Sequence, residues 1–400
     1  MADDALPLGP IHLADPFSPE GLEHPEPLQD AIRQTGPAVW LSRYNVWATS
    51  RYAEVHAALN DWQAWSSAAG AGIADLRREP GWRTPSIILE VDPPDHTRTR
   101  SVLIRILSPA ALRGLRETFE ARARELVDRL LDLRRFDAAV EVAQGYPLRV
   151  FPDALGLGEE ERENLLPIGD LNFNGFGPRN ALFEASFEKA KPLLPWLAQK
   201  CDRSQLRPGS FGAQIYDAAD RGELLEGEAP LLMRTFLLAG IDTTVGGLGN
   251  ALNALATHPA QWARLAANPE LARPAFDEAL RYDSPVQNFF RLATRDVEIG
   301  PVVVRKDEKI LLMLGGANRD PAKWERAETF DIERRPMGLV AFGSGIHTCV
   351  GQMVARLEAD CVLSEMGRRI VRLEPTATPQ RKLNNSLRSF ASIPVEVTPR

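Results

Sequence analysis

The chain has 400 residues, 44% hydrophobic and 25% charged, with a formal charge of −7. That composition supplies a large buried core and an ordinary polar surface, and the acidic balance excludes general nucleic-acid binding, which needs a basic face. No run reaches about 18 uninterrupted apolar residues, and residues 1–5 lack the basic and apolar regions of a signal peptide. No membrane partner and a cytoplasmic location are therefore expected. Cys201, Cys349 and Cys361 cannot build a disulfide framework, and no Cys-x-x-Cys or His-Glu-x-x-His is present to bind zinc.

The first 35 residues carry six prolines and predict an irregular arm with one short helix near 26–33. Segments 38–41 and 46–49 predict a hairpin, and 52–60 a helix. After a Gly/Ala-rich loop, a helix opens at Asp95 and sets His96 and Arg100 four apart on one face. Helical periodicity marks 115–133, 147–155, 159–173, 183–200, 231–255, 260–266, 272–282 and 352–371. Short strands are expected near 292–299, 302–305 and 309–313, with a small sheet in 383–397. The fold class is mainly α with small β-sheets. The notable motifs spread from His96 to Cys349, so residues 1–400 are expected to form a single domain.

Three segments carry chemistry. Ala239-Gly240-Ile241-Asp242-Thr243-Thr244 lies in an apolar run, where a carboxylate needs a partner or a purpose. A hydroxyl beside it can hold water and relay protons. Thr243, Thr244, Gly246, Gly247 and Gly249 are poor helix-interior residues, and they predict a local widening of this helix. Glu278 and Arg281 share a helix face and, read alone, form a surface ion pair. The third segment is Phe342-Gly343-Ser344-Gly345-Ile346-His347-Thr348-Cys349-Val350-Gly351. Its glycines let backbone approach a flat macrocycle, and a helix opening at Cys349 would stabilise a thiolate. A lone cysteine reads as a core residue. In this setting it points to haem iron, where thiolate ligation favours O–O cleavage.

That loop, preceded in order by Ala239–Thr244, Glu278-x-x-Arg281 and Phe330-Asp331-Ile332-Glu333-Arg334, resembles the cytochrome P-450 superfamily of haem-thiolate monooxygenases over nearly the whole chain. The resemblance implies haem b (iron protoporphyrin IX) held between a long distal helix and a Cys-bearing proximal helix, with Cys349 as metal ligand. Phe342, Gly343 and Gly351 would cradle the cofactor, while His96, Arg100, Arg291 and His347 would meet its propionates through charge-assisted hydrogen bonds. Asp242 and Thr243 become the catalytic pair, and Glu278, Arg281 and Arg334 a structural ion-pair triad. The implied reaction uses O2 and two electrons from separate partners, an iron–sulfur ferredoxin and its NAD(P)H-dependent reductase. Arg98, Arg105 and Arg113 are expected near the docking side.

Within the superfamily, the stretch Trp82–Glu90 and its partners are similar to bacterial monooxygenases that remove O-methyl groups from para-substituted benzoic acids. Arg83 and Ser86 resemble the residues that grip the carboxylate; Phe173, Phe176 and Phe289 resemble the aromatic walls. Arg234, Thr235, Leu238, Ala239 and Val286 complete the implied substrate set. Read alone, Arg83 is equally a solvated loop residue, and Phe173 and Phe176 are core. Leu238 stands where that group has a serine, so neutral aromatic ethers or phenols remain an alternative substrate class. A peroxygenase and a haem-based sensor are the competing classes, and the Asp242–Thr243 pair speaks against both.

Overall fold

The computed structural model describes residues 9–79 and 81–400. Helices dominate, and the longest, Glu228–Thr257, runs through the middle of the main hydrophobic cluster. Its second half is buried almost all round, which its Ala/Gly/Leu composition permits and which marks it as a core helix. Gly240 allows the closest packing: a Cβ there would lie 2.2 Å from the ring of Phe151. The helix is long and apolar enough to cross a membrane, yet most of it is covered by protein.

Around it pack Pro147–Leu155, Leu165–Asn174, Phe211–Asp220, Ala272–Tyr282 and Gln352–Arg369. To one side lies a six-stranded sheet in the order Ile11–His12, Val39–Leu41, Val46–Thr49, Lys309–Met313, Asn288–Ala293, Trp65–Ser66. Lys309–Met313 runs parallel to Val46–Thr49, with Trp47 opposite Ile310, and antiparallel to Asn288–Ala293. Ile370–Pro375, Pro394–Pro399 and Arg135–Asp137 form a second sheet, and two hairpins complete the strands among the described residues.

The differences from the sequence expectations have local causes. The arm holds two helices, Pro19–Glu23 and Pro25–Thr35, each with proline in its first turn. The helix expected at 115–133 begins at Pro109, because Ser108 caps it and accepts from the Ala111 amide. The span 159–173 opens as the 3-10 turn Arg162–Asn164 and becomes α-helical only at Leu165–Asn174. Pro192 and Pro195 break 183–200 into Ala181–Ala190 and Leu194–Lys200, joined by a 3-10 turn. The helix expected to reach 371 stops at Arg369, since the β-branched Ile370 and Val371 enter the second sheet. Phe211–Asp220, capped by Ser210, was not anticipated.

Glu278 and Arg281 do not form a surface pair. Both are fully buried, and Arg281 meets both carboxylate oxygens at 2.8 and 2.9 Å. Arg334 adds a third contact at 3.2 Å, and the Asp331 amide donates to the same carboxylate at 3.0 Å. Arg281 also donates to the carbonyls of Asn318, Ala327 and Thr329, tying Ala272–Tyr282 to the segment that leads into the cysteine loop. Removing one partner of a buried ion pair leaves uncompensated charge, a loss of about 3–5 kcal/mol. Glu278→Gln is therefore expected to lower unfolding stability by about that amount. Urea titration read by tryptophan fluorescence checks this, and a loss below about 1 kcal/mol, the value of a surface pair, would reduce the triad to a minor contact.

Candidate active site

A cavity of about 250 Å³ separates one face of Glu228–Thr257 from the cysteine loop. Ala239, Gly240, Thr243 and Thr244 form one wall; Phe342, Gly343, Cys349 and Gly351 form the other. Of the three cysteines, Cys349 alone opens onto this space. The helix after it starts at Gln352, three residues later than a helix opening at Cys349 requires. The amides of Gly351 and Gln352 still reach the sulfur. Surrounding protein raises the thiol pKa by desolvation, and those amides act against it together with Arg100 and Arg356. Gly345, at φ 67°, lets the loop pass so close to Leu59 that a Cβ would sit 2.3 Å from its carbonyl oxygen.

The rim fits a flat group carrying anionic arms. His96 is 2% exposed with neither ring nitrogen partnered, and its ring meets His347 edge-on at 4.5 Å. His347 is held by Ser67 Oγ at 2.7 Å. Arg100 and Arg291 face the cavity with only carbonyl partners, on Thr348 and Phe290 respectively, and among the described residues no carboxylate lies within ion-pair distance of either. Burial lowers the pKa of Arg291 to about 10. Uncompensated buried cations and unpartnered imidazole nitrogens need an anion in place. His96 is the one expected cofactor residue outside the cavity lining, and it stands directly behind His347.

All ten expected substrate residues line the same cavity. Phe173, Phe176 and Phe289 stack edge to face at 5.8 and 5.5 Å. Arg83 departs from the expectation that its charge is free for a ligand: it grips the buried Glu90 at 2.7 and 3.1 Å. Glu90 also accepts from the Ser86 amide at 2.8 Å, while Ser86 Oγ accepts from the Leu89 amide at 3.1 Å. Burial would raise the Glu90 pKa, but Arg83 and these amides outweigh it and hold it low. At the substrate end, Arg234 has no carboxylate within ion-pair distance among the described residues and donates to Thr84 O at 2.8 Å. Its pKa is pulled down by burial and by Arg83.

Asp242 and Thr243 point apart, because successive helix residues are turned about 100° from each other. Thr243 faces the cavity, and its hydroxyl donates to Ala239 O at 2.8 Å. Thr244 does the same to Gly240 O at 3.0 Å. The helix remains α-helical through this stretch, without the widening expected. Asp242 instead turns into a second cavity of about 40 Å³ with Asp170, Lys382 and Asn384. Its Oδ2 is buried without a partner, and it fits only because residue 169 is glycine: a Cβ there would lie 1.5 Å away. Burial, then Asp170, raises the Asp242 pKa to about 8, against the pull of Lys382.

Two groups escaped the sequence reading. Glu358 lines the cavity floor, fully buried with both oxygens unpartnered, and burial raises its pKa well above the usual range. The signal was a lone acid among buried positions of Gln352–Arg369. Lys382 came from a strand too short to attract notice. Of the arginines expected to meet a partner, Arg98 is paired with Asp95 and Glu228, and Arg105 with Glu223.

A cavity between a buried helix and a glycine-flanked cysteine, rimmed by unneutralised arginines, defines a haem-thiolate protein. The family described as Cytochrome P450 matches residues 205–396. Over 393 residues the chain is 48% identical to cytochrome p450 CYP199A2 of Rhodopseudomonas palustris, covering 98% of this chain and 95% of that protein. It is 31% identical to the beta-dihydromenaquinone-9 omega-hydroxylase of Mycobacterium tuberculosis, covering 96% and 78%. The solved structure of CalO2 superposes with a TM-score of 0.85 at 27% identity, covering 97% and 99%. Cytochrome P450 CREJ in complex with (4-ethylphenyl) dihydrogen phosphate does so with 0.83 at 26%, covering 96% and 99%. The chain belongs to the cytochrome P450 family and is a monooxygenase that binds haem b.

A carboxyl whose pKa is raised on folding binds more protons in the folded state, so its favourable contribution fades as pH rises from the unfolded toward the folded value. For Asp242 the window runs from 3.8 to about 8. Asp242→Asn is expected to flatten the fall in stability between pH 5 and pH 8. Urea unfolding of both proteins at the two pH values measures it, and parallel declines would place a charged, solvated carboxylate at 242.

Proposed function

We propose that this enzyme oxidises small aromatic acids, most directly by O-demethylation of a para-methoxybenzoate-type substrate. Residues 1–400 act as one cytoplasmic haem domain served by an iron–sulfur ferredoxin and its NAD(P)H-dependent reductase. The observation that carries the reading is the pairing of three Phe rings with an arginine lacking a carboxylate, all on one cavity. Support comes from the similarity of the 82–90 stretch to the benzoic-acid group. CREJ, a structural relative, is seen in complex with (4-ethylphenyl) dihydrogen phosphate.

In this reading Cys349 would ligate the iron, Phe342, Gly343 and Gly351 would pack against the macrocycle, and His96, Arg100, Arg291 and His347 would receive its carboxylates. Haem so held supplies oxygen activation, which thiolate ligation favours. Phe173, Phe176 and Phe289 clamp the ring, with Val286, Leu238 and Ala239 filling the apolar remainder. Arg234 and Thr235 meet the carboxylate; Arg83, already bound to Glu90, orders Ser86 at that end. The para group is thereby aimed across the cavity toward Cys349. Insertion of one oxygen atom into the methyl C–H gives a hemiacetal that collapses to phenol and formaldehyde, the second oxygen leaving as water. Thr243 holds a water at the cavity wall, and Asp242 passes protons from the second cavity behind it. Thr243→Ala is expected to leave substrate affinity unchanged while product per NAD(P)H falls severalfold and peroxide rises; unchanged coupling would remove Thr243 from proton delivery.

The Arg83–Glu90 pair and Leu238 favour a second reading, in which neutral aromatic ethers are accepted nearly as well. Soret-shift titrations with 4-methoxybenzoate and 4-methoxytoluene separate the two. A hydrogen bond to a charged group is worth about 1.5–3 kcal/mol, roughly ten- to a hundredfold in affinity. Arg234→Ala should weaken the acid by that factor and leave the neutral ether unchanged, with 4-hydroxybenzoate and formaldehyde as wild-type products. Equal losses for both ligands would favour the neutral-ether reading.

A further inference from the structure

Lys309 is a buried lysine at the start of a central strand, 5% exposed, and it takes no part in the site described above. Its ammonium points at the small-residue loop 67–74 and is surrounded by four backbone carbonyls: Ala69 and Gly70 at 3.1 Å, Gly72 at 2.7 Å and Ala74 at 2.5 Å. No carboxylate lies within ion-pair distance among the described residues. Burial lowers its pKa to about 8, against the pull of Asp75 and Glu90 from farther off. Four carbonyl dipoles converging on one point repel one another unless a cation sits between them, and rings of carbonyls are what replaces the hydration shell of K+ in selective sites. The loop has almost no side chains with which to hold this shape, and Gly70 adopts φ 96°.

What the loop touches gives the cage its consequence. Ser67 Oγ holds His347 at the cofactor rim. The Ala71 amide donates to Glu90, the partner of Arg83, at 3.4 Å, and the Ala71 carbonyl accepts from Phe290. The Ile73 amide donates to Phe176 O at 2.8 Å, and a Cβ at Gly72 would lie 2.7 Å from that same oxygen. One loop therefore sets the aromatic wall, the arginine end and a rim histidine.

We infer that Lys309 is a positioning residue for the substrate end of the cavity, a built-in monovalent cation that fixes loop 67–74, and that its removal converts the carbonyl cage into a binding site for an external cation such as K+. The inference rests on the aromatic-acid reading only for the ligand used as a probe.

The test compares haem-loaded full-length wild type, Lys309→Ala and Lys309→Met, each in KCl, methylammonium chloride or choline chloride at equal ionic strength. Hydrogen exchange over residues 69–76 and the dissociation constant of 4-methoxybenzoate are read in each. In choline, Lys309→Ala is expected to exchange faster in this segment and to bind the acid about tenfold more weakly, the loss of one charged hydrogen bond. K+ or methylammonium should restore most of both. Lys309→Met, which fills the space without charge, should show the same defects and no rescue. Unchanged exchange in Lys309→Ala, or defects that no small cation relieves, would overturn the inference. Should neither variant retain haem, the wild type decides: amides of Ala71 and Ile73 must exchange as slowly as those of Lys309–Met313, and rapid exchange refutes the cage. If the wild type fails to bind 4-methoxybenzoate, the aromatic-acid reading falls while the exchange measurements still judge Lys309.

Discussion

The buried carboxylate of Glu278 is the point on which the architecture turns. Two arginines from different parts of the chain converge on it, and their remaining N–H groups take up carbonyls of the irregular segment 318–329. A stretch without regular secondary structure has no ladder of its own, so its backbone groups must be satisfied by side chains. The triad supplies that satisfaction, and the segment it orders leads into the loop presenting Cys349. A buried pair of this kind is poor evidence of net stability, because desolvation offsets the attraction. Its value lies in fixing one arrangement of a segment that nothing else specifies.

The same logic, inverted, locates the active site. Several buried charges are paired: Asp283 with Arg381 and Arg388, Glu90 with Arg83. On the cysteine-loop side of the main cavity they are not. Arg100 and Arg291 have only carbonyl partners, and the buried polar atoms of His96 and Glu358 have no hydrogen-bond partner among the described residues. Groups left in that condition are complementary to what binds there, and the sign of the rim residues matches the carboxylates of haem.

The helix Glu228–Thr257 separates two environments. One face is open to the main cavity and carries Thr243; the other abuts the small polar cavity and carries Asp242. The alcohol thus lines the main cavity and the acid the small polar one, so the two do not compete for the same space. Gly169 is the residue that makes room for the acid, and it lies some seventy positions earlier in the chain.

The sequence by itself determined the mainly helical class and the cysteine loop, and the resemblance it carries implied the triad and about half of the residues that line the cavity. These are legible because their chemistry is local: glycines flanking a cysteine, a glutamate and arginine three apart, apolar residues at helical spacing. Tertiary structure decided what those residues meet. Arg83 looked free for a ligand and is held by Glu90; Arg98 and Arg105 looked free for a partner and are held by acids far along the chain. Asp242 looked paired with Thr243 and instead faces a different cavity. Lys309 and Glu358 drew no notice, because a charged residue acquires meaning only from which distant carbonyls or empty space its burial sets beside it. Apart from the Arg83–Glu90 pair, which closes a short loop, each of these depends on contacts between residues remote in sequence, and no local pattern encodes such a contact.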